Sequence, residues 1–195
     1  MKIIRYSQRT KSFLGLGLVI IAGLFVFSLV GLAAGSAPPQ DNFKVTTVFL
    51  IRHAESATAP REDPPLAEAG TARAQVLARM LSKSGIKAIY TSHLLRTKAT
   101  AEPLAAALGI TSVPITLKLS APREVSAESI QEIVDKIYQR PGENALVIGH
   151  SNSVPPVIKA LGGDVVPTIG EKDFDDLFVV TVYAKGKASV TQIKY

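Results

Sequence analysis

Three places in this chain set a histidine or an arginine at the end of an apolar run. Arg52-His53 follows Val45 to Ile51, His150 follows Ala145 to Ile148, and Arg96 opens a helical stretch just after Ile86 to Thr91. Histidine titrates near neutral pH, and arginine carries a fixed charge in a planar donor fork. One Arg-His pair alone is more often ordinary surface. The repetition is what points to chemistry, because three strand ends would bring cations and imidazoles to one side of a sheet. Two guanidinium forks match a phosphoryl group carrying a charge of about −1.5 to −2. Ser151-Asn152 and a helix start at Ser153-Val154-Pro155-Pro156 come next, and free N–H groups at a helix start also attract anions.

The elements that must position these groups can be read from periodicity. Val45 to Ile51 is nearly continuous in β-branched and apolar residues, as expected of a central strand buried on both faces. Ala69, Ala72, Val76, Leu77 and Met80 then recur at helical spacing up to the stop at Ser84-Gly85. A second strand is expected over 86–91 and a helix over 94–108, kinked or interrupted at Pro103. A third strand covers 113–117. Ile130, Ile133, Val134 and Ile137 form a helical stripe behind an N-cap at Ser126, closed by Pro141-Gly142. Leu177 to Ala184 and Ala188 to Ile193 form a terminal hairpin about Lys185-Gly186-Lys187. Strands alternating with helices imply an α/β fold with a mostly parallel central sheet and helices on both faces. Ligands of such sheets sit beyond the carboxyl ends of the strands.

Four motifs in order extend the pattern: Arg52-His53-Ala54-Glu55, Pro65-Leu66-Ala67-Glu68-Ala69-Gly70, Thr91-Ser92-His93-Leu94-Leu95-Arg96-Thr97 with Thr100-Ala101-Glu102, and Val147-Ile148-Gly149-His150-Ser151-Asn152. The chain thereby resembles the histidine phosphatase superfamily, of phosphoglycerate mutase-like fold, over residues 48–163. The resemblance implies a phosphoric monoester hydrolase of the histidine acid phosphatase type. In that reading Arg52, Arg96 and His150 hold the phosphoryl group, with Ser151, Asn152 and Glu55 as further binding candidates, while His53 attacks and becomes phosphohistidine. Phosphoryl transfer asks mainly for positioning and charge stabilisation, which two arginines supply without a metal or other cofactor. His53 must be unprotonated to attack, whereas His150 serves as a donor, so the two imidazoles need different environments.

The family's leaving-group acid has no clear counterpart. Glu124 is the positional candidate; Glu128, Glu132 and Asp135 read as the solvated face of a helix. Without an acid, good leaving groups are favoured, since a positioned acid contributes about 10²–10⁴-fold. Ala54 stands where glycine is commoner, which requires a backbone that avoids positive φ. His93 is assigned to the rim, and the acidic stretch 171–176 is read as a solvated turn. Only 53 residues separate Arg96 from His150, which leaves little room for an inserted cap and favours a phosphatase over a mutase.

The 22 residues from Phe13 to Ala34 carry no charge, close to the roughly 20 that span a bilayer. Basic residues precede them and none follows until Lys44, which places the rest outside the cytoplasm, on the periplasmic side of a bacterial inner membrane. The expected division is an anchor or cleavable signal over 1–37, a linker over 38–42 and a domain over 43–195. Of 22 Lys and Arg residues, four lie in the first 37, leaving 18 against 16 acids. That balance, with no basic run interleaved with aromatics, gives no footprint for nucleic acid. There is no cysteine, which excludes disulfides and thiolate chemistry. The expected partners are the membrane, through residues 13–34, and a phosphorylated small molecule, envelope glycan or phosphoprotein. The competing readings are a tethered phosphate-binding domain without turnover, a mutase-type phosphotransferase, a structural tethered domain, and a metal-dependent hydrolase, for which no local ligand spacing exists.

Overall fold

A computed structural model describes residues 43–195. The anchor or signal over 1–37 and the linker over 38–42 lie outside the described residues. No helix among those described is long and apolar enough to cross a membrane.

The chain runs β1 (Thr46–Arg52), α1 (Glu68–Leu81), β2 (Ile86–Ser92), α2 (Leu95–Leu108), β3 (Val113–Ile115), β4 (Leu119–Ala121), β5 (Glu124–Val125), α3 (Ala127–Tyr138), β6 (Asn144–Gly149), α4 (Val154–Ala160), β7 (Asp176–Ala184) and β8 (Lys187–Lys194). Six strands form one sheet in the order β3-β2-β6-β1-β7-β8. The first four are mutually parallel, and the β7–β8 hairpin adds antiparallel to β1. The fold is thus α/β with a mostly parallel sheet, as the alternation of patterns requires.

Alternation along β1 sends Val48 and Leu50 into one apolar layer with Val147, Phe178 and the α3 residues Ile133 and Ile137. Ile51 enters the opposite layer with Ile89, Leu146 and, from α1 and α2, Leu77 and Leu104. Each fully buried aliphatic side chain contributes roughly 1.5–3 kcal/mol, so both faces of β1 are anchored before any site residue is considered. The C-terminal ends of β2, β6 and β1 therefore stand side by side, with Arg52 registered against Gly149 and Thr91 against Ile148.

Several local expectations change. Pro103 does not break α2, which runs as one helix from Leu95 to Leu108 with Ala101 and Leu104 buried on either side of it. Core packing outweighs the bond lost at the proline. The third strand stops at Ile115, and a two-stranded β4–β5 hairpin follows, turning through Arg123 at φ 67°. Ser126 caps α3 as expected, accepting from Ser129 N.

Gly70, in the first turn of α1, packs directly on the loop that leaves β1: an added Cβ would lie 2.1 Å from Glu55 O and 2.9 Å from Glu55 N. Backbone lies on both sides, so no rotamer change relieves the clash. Gly70→Ala is expected to destabilise the domain by about 2–4 kcal/mol, roughly 5–15 °C in Tm, measurable by thermal circular dichroism.

Candidate active site

The ends of β1, β2 and β6 open into a cleft of about 990 Å³, bounded by the start of α2, the β4–β5 hairpin and the loop 168–174. Its residues include Arg52, His53, Arg96, His150, Ser151 and Asn152. The structure thus brings together six of the eight residues singled out from sequence.

His53 leaves β1 with its backbone N–H bonded to Gly149 O at 2.9 Å, which ties the nucleophile candidate to the neighbouring strand. Its Nδ1 lies 2.8 Å from Ala54 O. A carbonyl only accepts, so Nδ1 carries the proton and Nε2 presents a lone pair. Arg96 Nε donates to that Nε2 at 3.2 Å. The His150 ring stands edge-on to His53, with centroids 5.2 Å apart. Ala54 avoids positive φ, is buried, and donates its N–H to Thr100 Oγ1 at 3.0 Å. The same hydroxyl donates to Arg96 O at 2.7 Å, so one threonine ties the nucleophile loop to the first turn of α2.

Both imidazoles are held neutral. Burial, then the charges of Arg96 and Arg52, bring the His53 pKa down from 6.5 to about 4 against an opposing pull from the Ala54 carbonyl. Burial, then His53, Arg96, Arg52 and His93, bring His150 down to about 3. Burial and the same two arginines thus shift both rings in one direction, and what distinguishes them is their hydrogen bonds, His53 Nδ1 to the Ala54 carbonyl and His150 Nε2 to the Ser92 hydroxyl.

Arg52 faces two ways. Its Nη1 donates to Gly170 O at 2.6 Å and Glu171 O at 3.0 Å, and its guanidinium lies 4.1 Å from the centre of the Phe174 ring. Its Nε is buried and has no partner among the described residues. The acidic stretch 171–176 is consequently no solvated turn. Asp173 Oδ2 accepts from Gly170 N at 2.8 Å, and Asp176 is buried, accepting from Gln192 Nε2 at 2.6 Å. Nothing in the charge pattern marks Phe174 as a wall residue; the one signal is an aromatic inside an otherwise acidic run.

Two candidates leave the site. Glu55 is clamped by Arg73, whose Nη2 donates to Oε1 at 2.7 Å, and it does not line the cleft. That ion pair holds its carboxyl below the ordinary range. Glu124 is exposed on β5 and lies outside the cleft, although Arg123 and Val125 beside it line the wall. Val125 turns into the core, so strand alternation turns Glu124 away.

His93 sits exposed at the cleft edge, as expected. The helix start after His150 offers no anion site: the N–H groups of Ser153 and Val154 both donate to His150 O, and prolines follow. Ser153 Oγ does not cap α4 but accepts from His150 N at 2.8 Å, fixing the second histidine's backbone. Sequence reading placed Asp63 only in the loop after His53; its Oδ1 accepts from Leu95 N at 2.9 Å and lies 3.8 Å from Arg96 Nη1. Its loop has no periodicity that could have placed it. Among the described residues no three His, Asp or Glu side chains converge as a metal site.

The fold is α/β with a mostly parallel sheet, and two histidines and two arginines from the ends of β1 and β6 and the first turn of α2 line one cleft. The family model of the histidine phosphatase superfamily (branch 1) matches residues 48–156, more than half of the chain, and the chain belongs to that family. No curated protein matches it in sequence. Among solved structures, the protein histidine phosphatase SixA, in complex with tungstate, is similar with a TM-score of 0.60 at 19% identity, covering 76% of this chain and 96% of SixA. A mycobacterial glucosyl-3-phosphoglycerate phosphatase gives 0.59 at 15% identity over 78% and 99%. Phosphoglycerate mutase from Bacillus anthracis gives 0.60 at 17% over 78% and 94%. At these identities the likeness is one of fold.

Proposed function

We propose that this protein is a metal-independent phosphatase working through a phosphohistidine on His53. The observation that carries the reading is the fixed tautomer of His53: Nδ1 is bound to Ala54 O, and Nε2 faces Arg96. In the first step Nε2 forms a bond to phosphorus as the bond to the leaving oxygen or nitrogen breaks. Water then attacks phosphorus, the N–P bond breaks, and orthophosphate leaves. Arg52, Arg96 and His150, which line the cleft together, hold the non-bridging oxygens throughout.

Among the described residues Glu171 is the one carboxylate residue that lines the cleft, and its backbone carbonyl is bound to Arg52. No carboxylate is thus held over the leaving atom. The preferred substrates are those whose leaving group departs without an acid: aryl phosphates, acyl phosphates or phosphoramidates, the last in keeping with the protein phosphohistidine implied by the name of SixA. Alkyl phosphates are expected to react about 10²–10⁴-fold more slowly than aryl phosphates in a steady-state comparison.

The test is rapid acid and alkaline quench of the full-length protein with a labelled aryl phosphate in excess chelator. An acid-labile, alkali-stable phosphoenzyme supports the reading; turnover without one, or turnover abolished by chelator, overturns it. The depressed His53 pKa sets a second expectation. The nucleophile stays neutral down to about pH 4, so the acid limb of kcat/KM, corrected for substrate ionisation, is expected near 4 and not near 6.5.

The anchor over 13–34 and the extracytoplasmic placement are part of the same proposal. They rest on the uncharged segment and the basic residues before it. A reporter fused after residue 43 that is active only outside the cytoplasm would support them, and cytoplasmic activity would overturn them.

A further inference from the structure

His150 lines the cleft, but one of its ring nitrogens is engaged by groups the catalytic reading does not use. His150 Nε2 lies 2.9 Å from Ser92 Oγ, and Ser92 Oγ lies 2.9 Å from Thr97 Oγ1. Ser92 and Thr97 are both buried, at 2% and 0% exposure, so solvent does not satisfy these hydroxyls. The chain of donors can be solved from its far end. Thr97 Oγ1 stands 2.8 Å from Leu94 O and 3.0 Å from Ser92 O. Carbonyls cannot donate, so the single Thr97 hydrogen goes to them. The short contact between the two hydroxyls then needs the Ser92 hydrogen. Ser92 Oγ, its own proton committed, is left with lone pairs. One takes Leu94 N–H at 3.3 Å, and the other requires a proton on His150 Nε2.

We infer that Ser92 and Thr97 lock His150 as its Nε2–H tautomer, so that the phosphoryl group binds with one proton shared between a phosphoryl oxygen and His150 Nδ1. Nδ1 has no partner among the described residues. In the locked neutral ring it bears a lone pair, which repels an unprotonated oxyanion. A dianion is held only if a proton comes with it, taken from solvent or carried on the phosphoryl group itself. The charged groups that act on the ring are His53 and Arg52 from the end of β1, Arg96 from α2 and His93 from the loop between β2 and α2. All are cationic or able to become so, and they keep the ring neutral until an anion arrives. Ser92 and Thr97 are positioning residues, acting through His150. The inference rests on the phosphoryl-binding reading of this cleft and adds a proton to it.

Orthophosphate binding to the full-length protein, followed by titration calorimetry in two buffers of different ionisation enthalpy, is the test. At about pH 8, where phosphate is a dianion, uptake of about one proton per phosphate is expected. The Kd should then rise about tenfold from pH 8 to 9. Thr97→Val keeps the side-chain shape but removes the acceptor, freeing the Ser92 hydroxyl to donate to Nε2. The neutral ring then carries its proton on Nδ1 and can donate without uptake. Proton uptake should fall toward zero and the Kd should become nearly flat over the same range, while Thr97→Ser keeps the wild-type behaviour. Phosphate binding without proton uptake in the wild type overturns the inference and leaves the phosphoryl-binding reading standing. So does a Thr97→Val protein whose Kd worsens equally at every pH with uptake unchanged, the mark of a merely structural role. Should that variant fail to fold, the wild-type uptake and the nitrogen chemical shifts of His150 decide the matter, a resting Nδ1–H tautomer overturning it. Failure of phosphate to bind at all overturns the inference and the catalytic reading together.

Discussion

His53→Ala is expected to lower kcat/KM for an aryl phosphate by about 10⁴–10⁶-fold, equivalent to roughly 5–8 kcal/mol of transition-state stabilisation. The size follows from what the ring does alone. In the proposed reading Arg52, Arg96 and His150 would still bind the phosphoryl group, but the nitrogen that Arg96 Nε faces, and with it the bond to phosphorus, would be gone. The fold should survive, because His53 enters neither apolar layer and its backbone bond to Gly149 O does not depend on the side chain. Added imidazole is expected to restore part of the rate by occupying the vacated space next to His150. The variant should also change how stability responds to acid. The folded pKa of about 4 lies below the ordinary 6.5, so the unfolded chain binds the extra proton between these values and stability falls as pH drops through that window. Removing the ring should flatten that part of the curve, as read from denaturant midpoints at several pH values. Wild-type turnover in His53→Ala would overturn the site assignment at once.

The sequence discloses this site because strand ends are local features. Val45 to Ile51 and Ala145 to Ile148 read as buried strands, and in a parallel sheet their carboxyl ends lie on one side, so His53 and His150 could be paired before any coordinates. Arg96 followed because α2 starts where β2 ends. What could not be read were contacts made by chain far away in sequence. Arg52 meets Gly170 and Glu171 across 118 and 119 positions, and Asp63 reaches Leu95 across 32. Glu55 looked like a site residue from its motif position, but its carboxylate is drawn off by Arg73, on a helix face no periodicity marks as special. Glu124 failed for a simpler reason: the β4–β5 hairpin was not foreseen, and within a strand the choice of inward residue falls on Val125. Pro103 shows the opposite limit, a strong local rule overridden because the residues on either side of it are buried.

The two arginines should fail in different ways when shortened to lysine, and the contrast tests how the cleft is built. Arg52→Lys is expected to reduce phosphate affinity and kcat/KM by about 10²–10³-fold and also to destabilise the domain by roughly 1–3 kcal/mol. The double loss follows from geometry. One guanidinium carries the carbonyls of Gly170 and Glu171 on Nη1 and stacks on Phe174, and in the proposed reading it also faces the phosphoryl group. An ammonium is a point donor that cannot serve both ends of that span. Losing the loop frees Phe174, which stands 6.0 Å from the His53 ring, so His53 loses a wall as well as a neighbouring cation. Arg96 has no such second duty. Its side chain reaches His53 Nε2 in the cleft and, more loosely, Asp63 in the loop between β1 and α1. Arg96→Lys should therefore cost a similar factor in kcat/KM with little change in Tm. Phe174→Leu separates the parts further, since it removes the stacking while leaving both charges; it should lower Tm and raise KM with a smaller effect on kcat. Equal Tm losses for the two lysine variants would mean that the 170–174 loop is not held by Arg52. A kinetic loss confined to Arg96→Lys would mean that Arg52 serves the wall alone and the phosphoryl group rests on one arginine.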